Sequence, residues 1–102
     1  MIYYKKAVRD KIPTILKKSG KNYNVKKLTD SKFLKEMEKK LEEELDEYKK
    51  SKNIEELADI LEVIFRISEL KGVGHDKLNT IRHEKTEKNG KFDDNLFLID
   101  SE

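Results

Sequence analysis

The chain has no cysteine and no tryptophan, one proline, four glycines and two histidines in 102 residues. Without cysteine there are no disulfides, no thiolate zinc ligands and no cysteine nucleophile, which fits a reducing, cytoplasmic setting. Two histidines leave little material for an imidazole-based metal site. The scarcity of proline and glycine argues against low-complexity disorder. No run approaches the ~20 apolar residues of a membrane span. The opening MIYYKKAVRDKIP lacks the apolar segment of a secretory signal, so no membrane partner is expected. The length is that of one domain, residues 1–102.

Charge is what the chain has in quantity: 43% of residues are Asp, Glu, Lys or Arg, against 35% hydrophobic. The formal net charge of +2 conceals an asymmetry. Residues 1–28 form a basic head with nine Lys/Arg and one acid, and the rest of the chain carries fourteen Lys/Arg and twenty acids. A basic head suggests phosphate or nucleic acid. The acidic body would repel a long duplex, and no nucleic-acid motif is present, so specific nucleic-acid binding is not expected. So small a domain buries only about 60–70% of its unfolded surface, and with so few apolar residues a second subunit is expected to cover part of it.

Hydrophobic spacing places a short helix at 9–19, with Asp10 as its N-cap, Pro13 in its first turn and Gly20 at its end. A long helix is read at 32–50, capped by Asp30 or Ser31, with Phe33, Met37, Leu41, Leu45 and Tyr48 on one stripe. A second runs from Ile54, after a cap at Asn53, to Gly72. It is apolar on more than one side, as a dimer interface would require. A third covers about 75–88, with Leu78, Ile81 and Lys85 on one face. The helical core is thus 30–89, followed by a tail at 90–102. Residues 22–28 and the tail FDDNLFLID are expected to form short strands. The expected fold is all-α: a helical hairpin plus a third helix, forming a four-helix-bundle-type dimer with short terminal strands.

Four carboxylates are out of place in this scheme. Glu56 projects onto an apolar arc, Asp59 lies one turn on, and Glu44 and Glu47 flank the stripe of the preceding helix. Each pair has i,i+3 spacing and so shares a helix face. In a hairpin the two pairs converge. Like charges in a poorly solvated site raise one another's pKa, and a divalent cation resolves the conflict. An all-oxygen donor set suits Mg²⁺, with Mn²⁺ as the variant. The basic head with Lys85 and Lys88 then suits a phosphate chain. Two bland readings stand beside this one: acid pairs solvated on Glu/Lys-rich helices, and Glu56 as part of a capping-box-like Asn53-x-x-Glu56.

The same residues carry a resemblance. Glu43, Glu44 and Glu47 match an EExxE motif, and Glu56 with Asp59 matches the following ExxD. With KKAVRDKIPTILKK and EELADILEVI, the chain resembles the MazG-like all-α nucleotide pyrophosphohydrolases, in the branch called phosphoribosyl-ATP pyrophosphohydrolase-like. The resemblance implies a homodimer or tetramer with its active site in a four-helix bundle. It implies Mg²⁺-dependent cleavage of the α–β phosphoanhydride of a nucleotide substrate to a monophosphate and pyrophosphate, an activity suited to cleaning the nucleotide pool. It carries the metal-ligand role to Glu44, Glu47, Glu56 and Asp59. Glu43 becomes a further acidic residue: a ligand, an orienter of a ligand, or a base for water. Lys85 and Lys88, with Arg9 and Lys11, are the expected phosphate contacts. The chain departs from the branch at Asn89-Gly90-Lys91-Phe92, where an Arg-Gly-Gly-Phe-like segment is common. Lys88 or Lys91 would replace that arginine, as a point charge without its bidentate fork. The rival expectations are phosphoribosyl-ATP hydrolysis in histidine biosynthesis and a non-enzymatic helical dimerisation module. His75 and His83 are expected to be exposed or structural.

Overall fold

A computed structural model describes residues 2–102 as four α-helices, with no strand among them. They are α1 (Ile12–Lys18), α2 (Asp30–Ser51), α3 (Ile54–Leu70) and α4 (His75–Asn89). The all-α expectation is met. The strands expected at 22–28 and in the tail do not form: both segments lack regular structure and lie almost entirely exposed. An isolated pair of short strands is marginal in water unless a face is covered, and nothing covers these.

Helix ends follow local chemistry. The cap of α2 is Thr29, not Asp30 or Ser31: its extended backbone lets its hydroxyl accept from the Lys32 N–H at 3.3 Å. Asp30 falls instead in the first turn, where a carboxylate meets the positive end of the helix. Asp10 does not cap α1. The chain enters through a turn closed by Ile12 N–H to Arg9 C=O, and the N-cap Lys11 is already in the α region. Side-chain capping needs an extended residue there. Gly20 takes φ +74° just after α1, as its expected place requires. Asn53 occupies the N-cap of α3 but makes no side-chain cap bond.

The hairpin α2–α3 is the body of the fold. Its link is Lys52-Asn53, with Lys52 in the left-handed region and its N–H on Tyr48 C=O at 2.7 Å. So short a link makes α2 and α3 antiparallel neighbours. The α3–α4 turn closes with Val73 N–H to Ser68 C=O at 2.9 Å and Ser68 Oγ to Val73 C=O at 2.7 Å. Gly72, at φ +84°, allows the chain to reverse there. His75, the first residue of α4, packs edge-on against Phe65 with ring centroids 4.2 Å apart.

The core is thin. Among the described residues only Met37 and Val63 are buried apolar side chains, and Glu44 and Ser68 are buried beside them. The radius of gyration is 17.9 Å, against about 13 Å for a compact chain of this length. Leu45, Ile54, Leu57 and Leu61 stay substantially exposed on the hairpin. Among the described residues no helix is long and apolar enough to cross a membrane.

With so few buried apolar groups, each one counts. Met37→Ala is expected to cost about 2–4 kcal/mol in urea unfolding, and Thr29→Ala about 1 kcal/mol. Phe97→Ser in the exposed tail should leave the midpoint unchanged.

Candidate metal centre

Antiparallel packing of α2 on α3 brings their acidic faces together near the Lys52-Asn53 link. One carboxylate oxygen each from Glu44, Glu56 and Asp59 lies within 4.8 Å of the others. Glu44 is 6% exposed, an unusual position for a carboxylate. Its Oε1 has Lys40 Nζ at 3.5 Å. Its Oε2 is buried without a hydrogen-bond partner, and so is Oε2 of Glu56. Asp59 Oδ1 accepts from Arg9 Nη2 at 2.7 Å.

Both carboxyls with an unpartnered oxygen are pushed above their ordinary 4.5. For Glu44 burial is the main cause, followed by the charge of Glu47, with Lys40 opposing and Asp59 adding. For Glu56 desolvation again leads, followed by the charges of Glu47, Asp59 and Glu44. The site is short of positive charge.

The donor set suits a hard divalent cation. All three groups are carboxylates, and two of the oxygens lack any other partner. Oxygens around Mg²⁺ lie at most about 4.2 Å apart, twice the metal–oxygen bond. Small side-chain rotations would bring this cluster to that spacing.

A cleft of about 600 Å³ runs from this acidic end between the hairpin and residues 7–11. Phe33, Met37, Val63 and Phe65 give it an apolar lining. Arg9, Lys11, Lys40 and Arg66 give it positive charge, Glu44 and Asp59 mark its acidic end, and Asp10, Glu62 and Glu69 place further acids along it, Glu69 paired with Arg66 at 3.6 Å. The Arg66 guanidinium lies 5.9 Å from the Phe33 ring centroid. A smaller hollow of about 210 Å³ is made by tail residues alone.

The expected site residues thus divide. Glu44, Glu56 and Asp59 come together. Glu47 is exposed at the edge of the cluster and acts on it through its charge. Glu43 lies outside the converging set and is held by cations, with Lys6 Nζ at 3.3 Å and Lys40 Nζ at 3.9 Å. Arg9 and Lys11 line the cleft. Lys85 and Lys88 are exposed on α4 and do not line it. Sequence reasoning missed Lys6, Lys40, Arg66 and Phe33 as neighbours of the site. Of these, Lys40 had a legible signal, its i,i+4 spacing to Glu44.

Comparison of the chain with protein-family models, with curated proteins and with solved structures returned no match.

The raised carboxyls have a thermodynamic consequence. The folded chain holds these protons more tightly than the unfolded chain does, so their contribution to stability falls as pH rises from 4.5 through the raised values. Glu56→Gln should therefore stabilise the metal-free protein near pH 7.5. The gain should vanish well below pH 4.5, where the Glu56 carboxyl is protonated in the folded and unfolded chain alike. Thermal melts of both proteins in EDTA across this range test it; a gain independent of pH would contradict the assignment.

Proposed function

We infer that this chain is a divalent-cation-dependent nucleotide pyrophosphohydrolase. The observation that carries the reading is the convergence of Glu44, Glu56 and Asp59, with two buried oxygens unpartnered, at one end of a cleft with an apolar lining and walls of mixed charge that include Arg9, Lys11, Lys40 and Arg66. The EExxE and ExxD motifs and the VRDKIP head, which resemble the MazG-like enzymes, point the same way.

Glu44, Glu56 and Asp59 would hold Mg²⁺ or Mn²⁺, with Glu47 beside them. When bound, the cation supplies charge neutralisation to the phosphate oxygens. The remaining work falls to the chain's own side chains. The apolar lining from Phe33 and Phe65 takes the nucleoside. Arg9, Lys11, Lys40 and Arg66 attract the phosphate chain, and the guanidinium forks suit phosphate oxygens best. Glu43, next to Glu44 but outside the cleft lining, would orient the attacking water and accept its proton once freed from Lys6 and Lys40. A bond forms from that water oxygen to the α-phosphorus, the α–β bridging bond breaks, and pyrophosphate leaves. In this arrangement Lys85 and Lys88 are not the phosphate contacts of their own protomer.

The reading includes a homodimer. Leu45, Ile54, Leu57 and Leu61 remain exposed on the hairpin, and a second hairpin against them completes a four-helix bundle. A cytoplasmic enzyme that cleans the nucleotide pool fits a cysteine-free chain of this kind.

Pyrophosphate release from a nucleotide panel, with Mg²⁺ and with EDTA, tests the activity. Release should require the metal. It should fall in Glu56→Gln/Asp59→Asn by more than the ~10–100-fold that losing an outer-shell partner of a metal site costs. Release that persists in EDTA, or none from the folded protein with any nucleotide, would sink the proposal. Mg²⁺ should also raise the melting temperature of the wild type but not of the double variant, because a ligand bound only by the folded state stabilises it.

A further inference from the structure

Residues 6–11 belong to no helix, yet they cross the acidic end of the cleft. Two ion pairs tie this strap to the hairpin: Lys6 to Glu43 at 3.3 Å and Arg9 to Asp59 at 2.7 Å. The second engages one of the three converging carboxylates. We propose that Arg9 is an exchangeable counter-ion. It neutralises Asp59 in the metal-free protein, gives way there to a divalent cation, and then binds the anionic ligand that enters the cleft with that cation. The inference rests on the cation reading of the cluster and adds an order of events to it.

The two lysine and arginine partners of the cluster differ in how they are held. Lys40 sits one turn from Glu44 on the same helix, and its side chain is only 18% exposed. It is a fixed counter-charge. The Arg9 side chain is 59% exposed and reaches Asp59 from an extended segment. The strap's other anchor, Lys6 to Glu43, is also well exposed. Exposed pairs of this kind contribute little to stability. A cation at the cluster gains several carboxylates at once and repels the guanidinium that shares one of them. The balance favours exchange.

Arg9 remains on the cleft wall afterwards, beside Lys11. A guanidinium released from a carboxylate presents the same planar fork to a phosphate. The site therefore keeps its cationic group for the ligand while the metal takes over Asp59.

Two measurements on the folded protein without nucleotide decide the matter: Mn²⁺ affinity by calorimetry, and the Arg9 Nε–Hε resonance of the strap with and without Mg²⁺. Arg9→Gln should bind Mn²⁺ about two- to fivefold more tightly than the wild type, the equivalent of one exposed ion pair. Arg9→Lys should stay near the wild type. In the wild type itself, Mg²⁺ should move the Arg9 Nε–Hε resonance from its ion-paired position to that of a solvated guanidinium. Mn²⁺ binding with unchanged affinity in Arg9→Gln and an unchanged Arg9 resonance in the wild type would overturn the exchange and leave the cation reading intact. No Mn²⁺ binding by either protein would overturn both. The strap measurement needs no substitution, so it stands even if Arg9→Gln folds poorly.

Discussion

Like charge forced together at a helix hairpin is the constraint on which this structure turns. α2 packs on α3 through its stripe, with Met37 buried and Leu45 left exposed. The short Lys52-Asn53 link then fixes the register. Glu44, Glu56 and Asp59 are carried into contact as a consequence. Their mutual repulsion in a poorly solvated position has to be offset by positive charge. Lys40 and Arg9 supply part of it. Two buried oxygens still lack partners. A chain selected for stability alone would carry an apolar residue or a glutamine at such positions, because unpaired buried carboxylates cost stability and contribute no packing. Their presence is the physical argument for a ligand.

The legible parts of this fold are those governed by local periodicity. The stripe of α2, the cap position at Asn53 and the glycines at 20 and 72 mark the helices to within a few residues. The acid pairs were legible for the same reason: i,i+3 spacing places side chains on one face whatever the tertiary structure. What lay beyond reach has no period. The strap at 6–11 is extended and irregular, so nothing in its spacing shows that it lies across α2 and α3. Lys6 and Arg9 find Glu43 and Asp59 through contacts between residues far apart in sequence. The tail and residues 22–28 alternate in a strand-like way, but alternation alone does not supply a partner. Thr29 was missed as a cap because Asp30 and Ser31 beside it are equally good cap residues. The backbone angle, and not the side chain, chose among them. Lys85 and Lys88 are legible as charge alone, and charge without a known helix orientation does not fix a position; α4 leaves both exposed and outside the cleft lining.

The thin core and the acidic centre are linked. Met37 and Val63 are buried apolar groups, and Glu44 is buried with them. In a body of this size, net stability is a small difference between large terms. A burdened carboxylate in the middle of the hairpin therefore weighs heavily, and so does whatever neutralises it. For such a protein, binding a cation and consolidating the fold draw on the same free energy, because the ligand-binding geometry does not exist in the unfolded chain. The basic head is then more than a solubilising segment. A protein that lacked it would face the metal-free state with its acids uncompensated. One that held it by a buried, fixed ion pair would exclude the metal. On the proposed reading, a surface pair from an irregular strap would avoid both: strong enough to neutralise Asp59 in the metal-free chain, and weak enough to yield to a cation.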